Sequence, residues 1–396
     1  MVLQLDVIQT IALAVVVLLV GQTIRGKVSL LEKFCIPAPV VGGLIFALLA
    51  LFLRQTNILL FQFDTALQSI LMTAFFTTVG FTASLKLLKK GGFQVALFLI
   101  LAIILVALQN VIGVTLARVF DLNALIGLST GSVPMTGGHG TSGAFAPLFE
   151  ERGAIGASTV AMASATFGLI CGSMLGGPIA KRLIEKNNLV KTETLVAAAA
   201  AAKEENSSTP LVPKNFSTAA FQIILAMGIG TVVSLLIQKT GATFPSYIGA
   251  MFAAAIIRNI SDLTHAYKVT STEIDILGNI ALSIFLSMAL MGLRLWELAD
   301  LAVPMLVMLF FQALLMGLFA YYVTFNVMGR NYDAAVLAGG HCGFGMGATP
   351  NAIANMEAIS NKYGPAPAAF FIIPLVGSFF IDFANVGIIT AFINFF

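Results

Sequence analysis

Two glycine-rich polar segments decide the fold: TGGHGTSG at residues 136–143 and GGHCGFGMGATPN at residues 339–351. Glycine forms helices poorly because it loses more conformational freedom on ordering than any other residue. Non-helical polar backbone survives at membrane depth only where protein buries it or where it lines a water-filled cavity. Because each half of the chain contains one such segment, the pattern predicts a transporter built from two structural repeats.

The composition indicates a membrane protein. Of the 396 residues, 58% are hydrophobic and 10% are charged, and the mean hydropathy is +0.97. A soluble domain carries roughly 25% charged residues, so we expect an all-α polytopic membrane protein. The net charge of +3 gives no reason to expect a nucleic-acid partner. The three cysteines are widely spaced without a CxxC pair, which disfavours a disulfide framework or a transition-metal site.

Apolar runs long enough to cross a bilayer as helices, about 20 residues each, recur about ten times. The two glycine-rich segments fall between the fourth and fifth runs and between the ninth and tenth, near 122–148 and 333–356. We interpret both as re-entrant hairpins that enter the membrane and return on the same side. The ten runs cover residues 7–24, 37–53, 66–85, 93–117, 153–180, 217–238, 244–258, 273–293, 301–325 and 366–392.

The two halves resemble each other at a constant offset of 208 residues. Pro37 then aligns with Pro245, and Leu85-Lys86-Leu87 aligns with Leu293-Arg294-Leu295. We therefore expect a five-helix repeat at 1–180, a cytoplasmic linker at 181–215 and a second five-helix repeat at 216–396. An odd number of crossings per repeat inverts the second repeat relative to the first.

The distribution of basic residues predicts the orientation. With the N-terminus outside, 16 of the 21 Lys and Arg side chains fall on the inner side, as the positive-inside rule requires. Both termini are then periplasmic or extracellular and the linker is cytoplasmic. The hairpins enter from opposite faces, so their tips are expected to meet and form a binding site.

The residue types in these segments suit an anionic solute and a cation. Helix N-termini offer N–H groups and partial positive charge to a carboxylate, and oxygen atoms are the ligands that hard cations prefer. The alternative is that the glycines only permit close helix packing. The predicted Na⁺ ligands are Ser142, Thr349, Asp382 and Asn385. The predicted substrate-binding residues are Thr136, Gly137, Gly138, His139, Gly140, Thr141, Gly339, His341, Gly343, Gly345, Thr349 and Asn351.

Some of these residues have a second interpretation. His139 and His341 either contact substrate, or carry a proton, or are neutral rings that fix the shape of the hairpins. Asp382 lies within an apolar run, where a carboxylate indicates a functional site by default. It either binds a cation or anchors hairpin backbone. Asn385 lies one helical turn later on the same face.

Other polar residues outside the hairpins favour structural roles. Gln109, Asn110 and Gln312 are uncharged residues inside apolar runs, where hydrogen bonding between helices is the usual role. Arg294 and Trp296 follow the eighth run, as expected of a belt at the membrane interface. The open alternative for Arg294 is that its guanidinium holds a substrate carboxylate.

Several motifs resemble those of the sodium/glutamate symporter family over nearly the whole chain. The resemblance implies Na⁺-coupled uptake of L-glutamate, no organic cofactor and no enzymatic reaction. It further implies ten spans in two inverted repeats, both hairpins at the translocation site, a bacterial inner-membrane location and a homodimer with a moving transport domain. The motifs are GGHGT at 137–141, ALMGL at 289–293, LWELA at 295–299, NYDAAVL at 331–337, GGHCGFG at 339–345, ATPNAIANM at 348–356 and FFID at 379–382.

The residues alone leave other functions open. A channel or passive facilitator also uses re-entrant loops, and it equilibrates its solute instead of accumulating it. A proton-coupled or Na⁺-coupled carrier of another dicarboxylate or hydroxycarboxylate is a further alternative, with His139 or His341 as the proton carrier. The chain lacks a P-loop signature, so the energy for transport is expected from an ion gradient.

Overall fold

The computed structural model describes residues 2–189, 213–239, 245, 247–298 and 301–396. Its first half is a series of helices with two short strands. The elements are β1 (Val2–Leu5), α1 (Val7–Lys27), α2 (Ser29–Lys33), α3 (Ala38–Gln55), β2 (Leu60–Phe63), α4 (Ala66–Thr82), α5 (Leu85–Val119, interrupted at Gly92), α6 (Ala124–Leu128), α7 (Ser132–Met135), α8 (Gly138–Glu151) and α9 (Ala157–Lys186).

The second half has helices of similar order and length. Its elements are α10 (Pro213–Gln238), α11 (Tyr247–Thr264), α12 (Ser271–Met291), a 3₁₀ turn (Leu295–Leu298), α13 (Ala302–Val327, with a π-helical turn at Phe319–Thr324), α14 (Tyr332–Gly345), α15 (Thr349–Tyr363), α16 (Pro367–Leu375), a π-helical turn (Val376–Phe380) and α17 (Ile381–Phe395).

Local sequence explains several helix starts. Asp6 and Gln9 form a reciprocal capping box at the start of α1, which satisfies two of the N–H groups that a helix leaves unpaired at its N-terminus. Proline in the first turn opens α3 and α15, where its missing N–H costs nothing. The Asn331 side chain accepts from the Ala334 amide at 2.8 Å and caps α14.

Seven described helices are long and apolar enough to cross a membrane. A polytopic helical membrane protein is therefore confirmed. The helices α4 and α17 are apolar but shorter, and α11, which contains Arg258 and Asp262, is neither among the seven long apolar helices nor among the shorter ones. α9 continues into the predicted linker as far as Lys186. Residues 190–212 of that linker lie outside the described part of the chain. The seven are Val7–Lys27, Ala38–Gln55, Gly92–Val119, Ala157–Lys186, Pro213–Leu236, Ser271–Met291 and Ala302–Val327.

The parallel pairing of β1 with β2 corrects the all-α prediction. Val2 pairs with Leu60 and Leu5 pairs with Phe63. Each strand has only four residues, too few for alternation to distinguish a strand from an apolar helix end. Phe61 and Phe63 also pack against Phe46 of α3, with ring centroids 5.2 and 6.0 Å apart. Long-range packing therefore fixes these strands.

The helices form two packed groups. The helices that precede the glycine-rich segments in each half, α1, α3 and α4 with α10, α11 and α12, pack mainly on one another. The second group contains α5, α9, α13 and α17 together with the elements formed by the glycine-rich segments. Each half therefore contributes its first three long helices to one group and the remainder to the other.

Candidate functional site

The first glycine-rich segment forms a helix–turn–helix unit. α7 ends at Met135, Thr136 and Gly137 make the turn, and α8 begins at Gly138, which has a φ of +63°. His139, Gly140, Thr141 and Ser142 therefore lie in the first helical turns of α8. The positive φ of Gly138 is a left-handed conformation, which glycine adopts without a steric penalty. Gly138 therefore allows the chain to reverse between α7 and α8.

Two predicted residues of α8 are held by hydrogen bonds within the protein. The ring Nε2 of His139, which is 5% exposed, lies 3.0 Å from Thr166 Oγ1 of α9. Ser142 Oγ donates to the Gly138 carbonyl at 2.8 Å. Both side chains therefore stabilise the unit.

The second glycine-rich segment forms a similar unit, with α14, a turn at residues 346–348 and α15. Gly339, His341, Gly343 and Gly345 all lie inside α14, so the expectation of unwound backbone is wrong for them. The reason is close packing: a Cβ at Gly343 would approach the Ala352 amide nitrogen to 2.4 Å. A Cβ at Gly339 would lie 3.0 Å from the Gly176 carbonyl oxygen of α9.

The tips of the two units touch. A Cβ added at Gly138 would lie 3.3 Å from the Gly347 carbonyl oxygen. Gln109 of α5 donates from Nε2 to the Gly345 carbonyl at 2.7 Å and accepts from Thr136 Oγ1 at 2.9 Å. One α5 side chain thus bridges the two units, and we call this contact the tip junction.

A buried polar cluster lies beside the tip junction. Asn110 Oδ1 of α5 accepts from the Ser132 amide at 2.8 Å, and Asn385 Nδ2 of α17 donates to the Ser132 carbonyl at 3.2 Å. Gln312 Nε2 of α13 donates to the Gln109 carbonyl at 2.8 Å. These four side chains, Asn110, Ser132, Gln312 and Asn385, are at most 1% exposed.

Three oxygens of the cluster stand out. Among the described residues, Ser132 Oγ, Gln312 Oε1 and Asn385 Oδ1 have no hydrogen-bond partner. A buried oxygen without a partner is costly and requires an explanation in a folded protein. Oxygens of this type are what a hard cation binds, so the cluster is the candidate cation site of this protein.

Several predicted residues lie elsewhere. His341 of α14 packs among the rings of Phe98, Phe319 and Phe344. Its Nδ1 lies 2.9 Å from Thr324 Oγ1. This environment matches a ring that fixes helix packing.

The remaining predicted residues lie in α15 and α17. Thr349 opens α15, where its Oγ1 would be 3.1 Å from a Cβ on Gly377. Asn351 Nδ2 donates to the Leu169 carbonyl and to Ser173 Oγ at 3.0 and 2.6 Å, which ties α15 to α9.

Asp382 is partly buried at the start of α17. Of the predicted Na⁺ ligands, the described contacts place only Asn385 in the polar cluster.

Part of the polar cluster can be predicted from the sequence. The sequence predicts hydrogen bonds between helices for Gln109, Asn110 and Gln312, and all three bond to backbone of the helix–turn–helix units or of α5. Ser132 was missed because a serine beside Val133 and Pro134 carries no distinguishing pattern. The usable signal was the presence of three uncharged polar residues inside apolar runs.

Fold and site define a polytopic helical membrane protein whose two polar helix–turn–helix units meet in its interior. The profile of the family described as sodium/glutamate symporter matches residues 3–365. A sodium/glutamate symporter of Escherichia coli (strain K12) is 42% identical over 394 residues, covering 98% of both chains. One of Haemophilus influenzae is 39% identical over 385 residues, covering 96% of this chain and 95% of the relative. The chain belongs to the sodium/glutamate symporter family.

Proposed function

We propose that this protein is a secondary active transporter that carries L-glutamate and Na⁺ together across the bacterial inner membrane. The observation that carries the proposal is the tip junction, where polar backbone from both halves meets inside an apolar helical protein. Family membership supports glutamate and Na⁺ as the transported pair. The protein moves its solutes unchanged and needs no organic cofactor.

The proposed topology has ten crossings in two inverted repeats, with the helix–turn–helix units as re-entrant hairpins. Its support is the similar element order of the two halves and the basic-residue count. In a variant without the native cysteines, a cysteine at Val2 or Phe396 should react from outside with an impermeant thiol reagent. A cysteine at Ser207 should react only after permeabilisation, so its labelling in intact cells contradicts the topology.

We place the glutamate site at the tip junction. α8 and α15 both begin there, and neither N-terminus has a side-chain cap hydrogen bond. The N-terminus of α8 offers free N–H groups and partial positive charge. That of α15 offers chiefly the Thr349 amide, because Pro350 has no N–H and the Asn351 amide donates to the Ala348 carbonyl at 3.0 Å. The predicted residues Thr136, Gly137, Gly138 and Thr349 therefore remain our proposed contacts.

We propose the buried polar cluster as the Na⁺ site. The oxygens of Ser132, Gln312 and Asn385 are buried and unpaired within the described chain, and hard cations prefer oxygen ligands. Asp382 lies three residues before Asn385 and stays a proposed contributor of negative charge. Ser142 and Thr349 remain weaker candidates, because their described contacts lie outside this cluster.

The division into two helix groups suggests how access alternates. We propose that the group containing α5, α9, α13 and α17 moves as a transport domain against the other six helices. A homodimer held together by those six helices would keep them fixed in the membrane. This oligomeric state rests on the family resemblance.

Uptake into proteoliposomes tests the proposed function. Labelled glutamate should accumulate above the external concentration when an inward Na⁺ gradient is imposed, and choline in place of Na⁺ should abolish accumulation. Equilibration without accumulation would identify a facilitator instead. Accumulation driven by a pH gradient in choline would identify a proton-coupled carrier. If the protein transports another dicarboxylate and does not take up glutamate, the assignment of glutamate as the substrate is wrong.

A further inference from the structure

A cavity with both apolar and charged lining residues lies away from the buried polar cluster. It has a volume of about 250 Å³ and lies between α8, the start of α9 and the C-terminal end of α12. Its lining includes Ser142, Thr159 and Gln68 together with the charged residues Glu150 and Arg294. This volume is slightly below the usual range of small-molecule sites, about 300–1,000 Å³, so the cavity suits only a small solute.

The cavity connects the protein surface with the neighbourhood of the tip junction. At its rim, the Arg294 side chain is 63% exposed. At its inner end, the buried Ser142 donates to the carbonyl of Gly138, the first residue of α8. The cavity therefore reaches within one helical turn of the tip. A solute bound in it would be adjacent to the proposed translocation site.

Arg294 is available to bind an anion. The described structure gives its guanidinium one ion pair, from Nη1 to Glu297 Oε1 at 3.4 Å. A guanidinium has five N–H donors in a planar fork, so most of its donors remain for a ligand. The fork matches a carboxylate in two parallel hydrogen bonds.

Glu150 supplies the opposite charge. Its Oε1 accepts from the Ser158 amide at 2.9 Å, which fixes the carboxylate beside the start of α9. The cavity thus combines one guanidinium, one carboxylate and several hydroxyl groups. These groups complement the carboxylate and the ammonium of an amino acid.

We infer that this cavity is an outer access site that binds an amino-acid zwitterion on its way to the tip junction, with Arg294 holding a carboxylate and Glu150 the ammonium. The inference rests on the proposed function, which supplies the transported solute and the outward orientation of this face. It gives Arg294 a substrate-binding role in addition to its position in the interfacial belt.

Sided transport kinetics test the role of Arg294. In right-side-out vesicles, Arg294→Gln should raise the half-saturating external glutamate concentration about tenfold, the effect of losing one charge-assisted hydrogen bond. Arg294→Lys should give a smaller rise because it keeps the charge without the fork. In inside-out vesicles the half-saturating concentration should not change.

Arg54→Gln is the matched control. Arg54 stacks on Trp296, 3.6 Å from the ring centroid, and does not line this cavity. Arg54→Gln should leave the half-saturating glutamate concentration unchanged in both right-side-out and inside-out vesicles. An unchanged external value for Arg294→Gln, or an equal rise on both sides, overturns the inference. A wild-type protein without Na⁺-driven uptake overturns the proposed function instead, so the two failures are distinguishable.

A second pair of variants tests the ammonium contact. Glu150→Gln keeps an oxygen for the Ser158 amide and removes the charge, while Glu151→Gln removes the charge of its exposed neighbour. We expect Glu150→Gln to raise the external half-saturating glutamate concentration several-fold and Glu151→Gln to leave it unchanged. Equal effects of the two variants would contradict the assignment of Glu150.

Discussion

Gly138 allows the sharpest test of the tip junction. Its φ of +63° lies in the left-handed region, where a residue with a Cβ is destabilised by about 1–2 kcal/mol. An added Cβ would also lie 3.3 Å from the Gly347 carbonyl oxygen, the nearest atom of the other unit. Gly138→Ala therefore strains the turn and presses the two tips apart at the same time.

The expected effect follows from these two terms. A loss of about 1–2 kcal/mol in the junction geometry corresponds to a rise of roughly 5- to 30-fold in the half-saturating glutamate concentration. Gly138→Val should be more severe, since a β-branched side chain is a stronger outlier at positive φ. The measurement is Na⁺-driven glutamate uptake in proteoliposomes, normalised to the amount of inserted protein.

Gly153 provides the matched control. It has a φ of +87° in the turn between α8 and α9, and an added Cβ would meet no atom within 4 Å. Gly153→Ala has the same kind of backbone cost without a neighbouring unit to displace. We expect near-normal glutamate affinity in Gly153→Ala and a large loss in Gly138→Ala. Equal losses in both, or none in Gly138→Ala, would refute the argument that the tips must touch.

The remaining predictions concern the polar side chains around the tip junction. Gln109→Leu removes the 2.7 Å donor from the buried Gly345 carbonyl and leaves it the longer bond from Thr136 Oγ1 at 3.4 Å, so we expect about 1 kcal/mol lower stability, the net value of one hydrogen bond, measured by thermal unfolding in detergent; an unchanged transition contradicts this. Asn385→Leu should raise the half-saturating Na⁺ concentration about tenfold, the loss of one favourable contact, with glutamate affinity preserved at saturating Na⁺; a selective loss of glutamate affinity would move the cation site elsewhere. Asp382→Asn should also weaken Na⁺ dependence, and unchanged Na⁺ dependence would remove this carboxylate from coupling.

The long helices could be predicted because their signal is local. The apolar run at 93–117 corresponds to Gly92–Val119, and the run at 273–293 corresponds to Ser271–Met291. A membrane-crossing helix satisfies its own backbone, so apolar length alone nearly determines it. The predicted and observed bounds differ at the helix ends: the fifth run is predicted to end at residue 180, whereas α9 continues to Lys186.

The buried polar cluster could not be predicted because it is assembled from distant residues. Ser132 and Asn385 are 253 positions apart in the chain, and they meet through a single hydrogen bond from Asn385 Nδ2. The spacing of Asn385 from Asp382 indicates that the two share a helix face, whereas Ser132 has no periodic partner. The strand pair depends equally on distant packing, since β1 pairs with residues 60–63.

The glycines of the two segments have different physical roles, although they look alike in the sequence. Gly339 and Gly343 are helical and allow α14 to approach α9 and α15, because a Cβ at either would collide with backbone. Gly138 adopts positive φ and reverses the chain. Packing glycines therefore hold the units rigidly against α9, and the turn glycine sets where the helix ends lie. Since free N–H groups occur only at helix ends, this division concentrates the polar backbone at the tips and leaves the rest of each unit as closed helix.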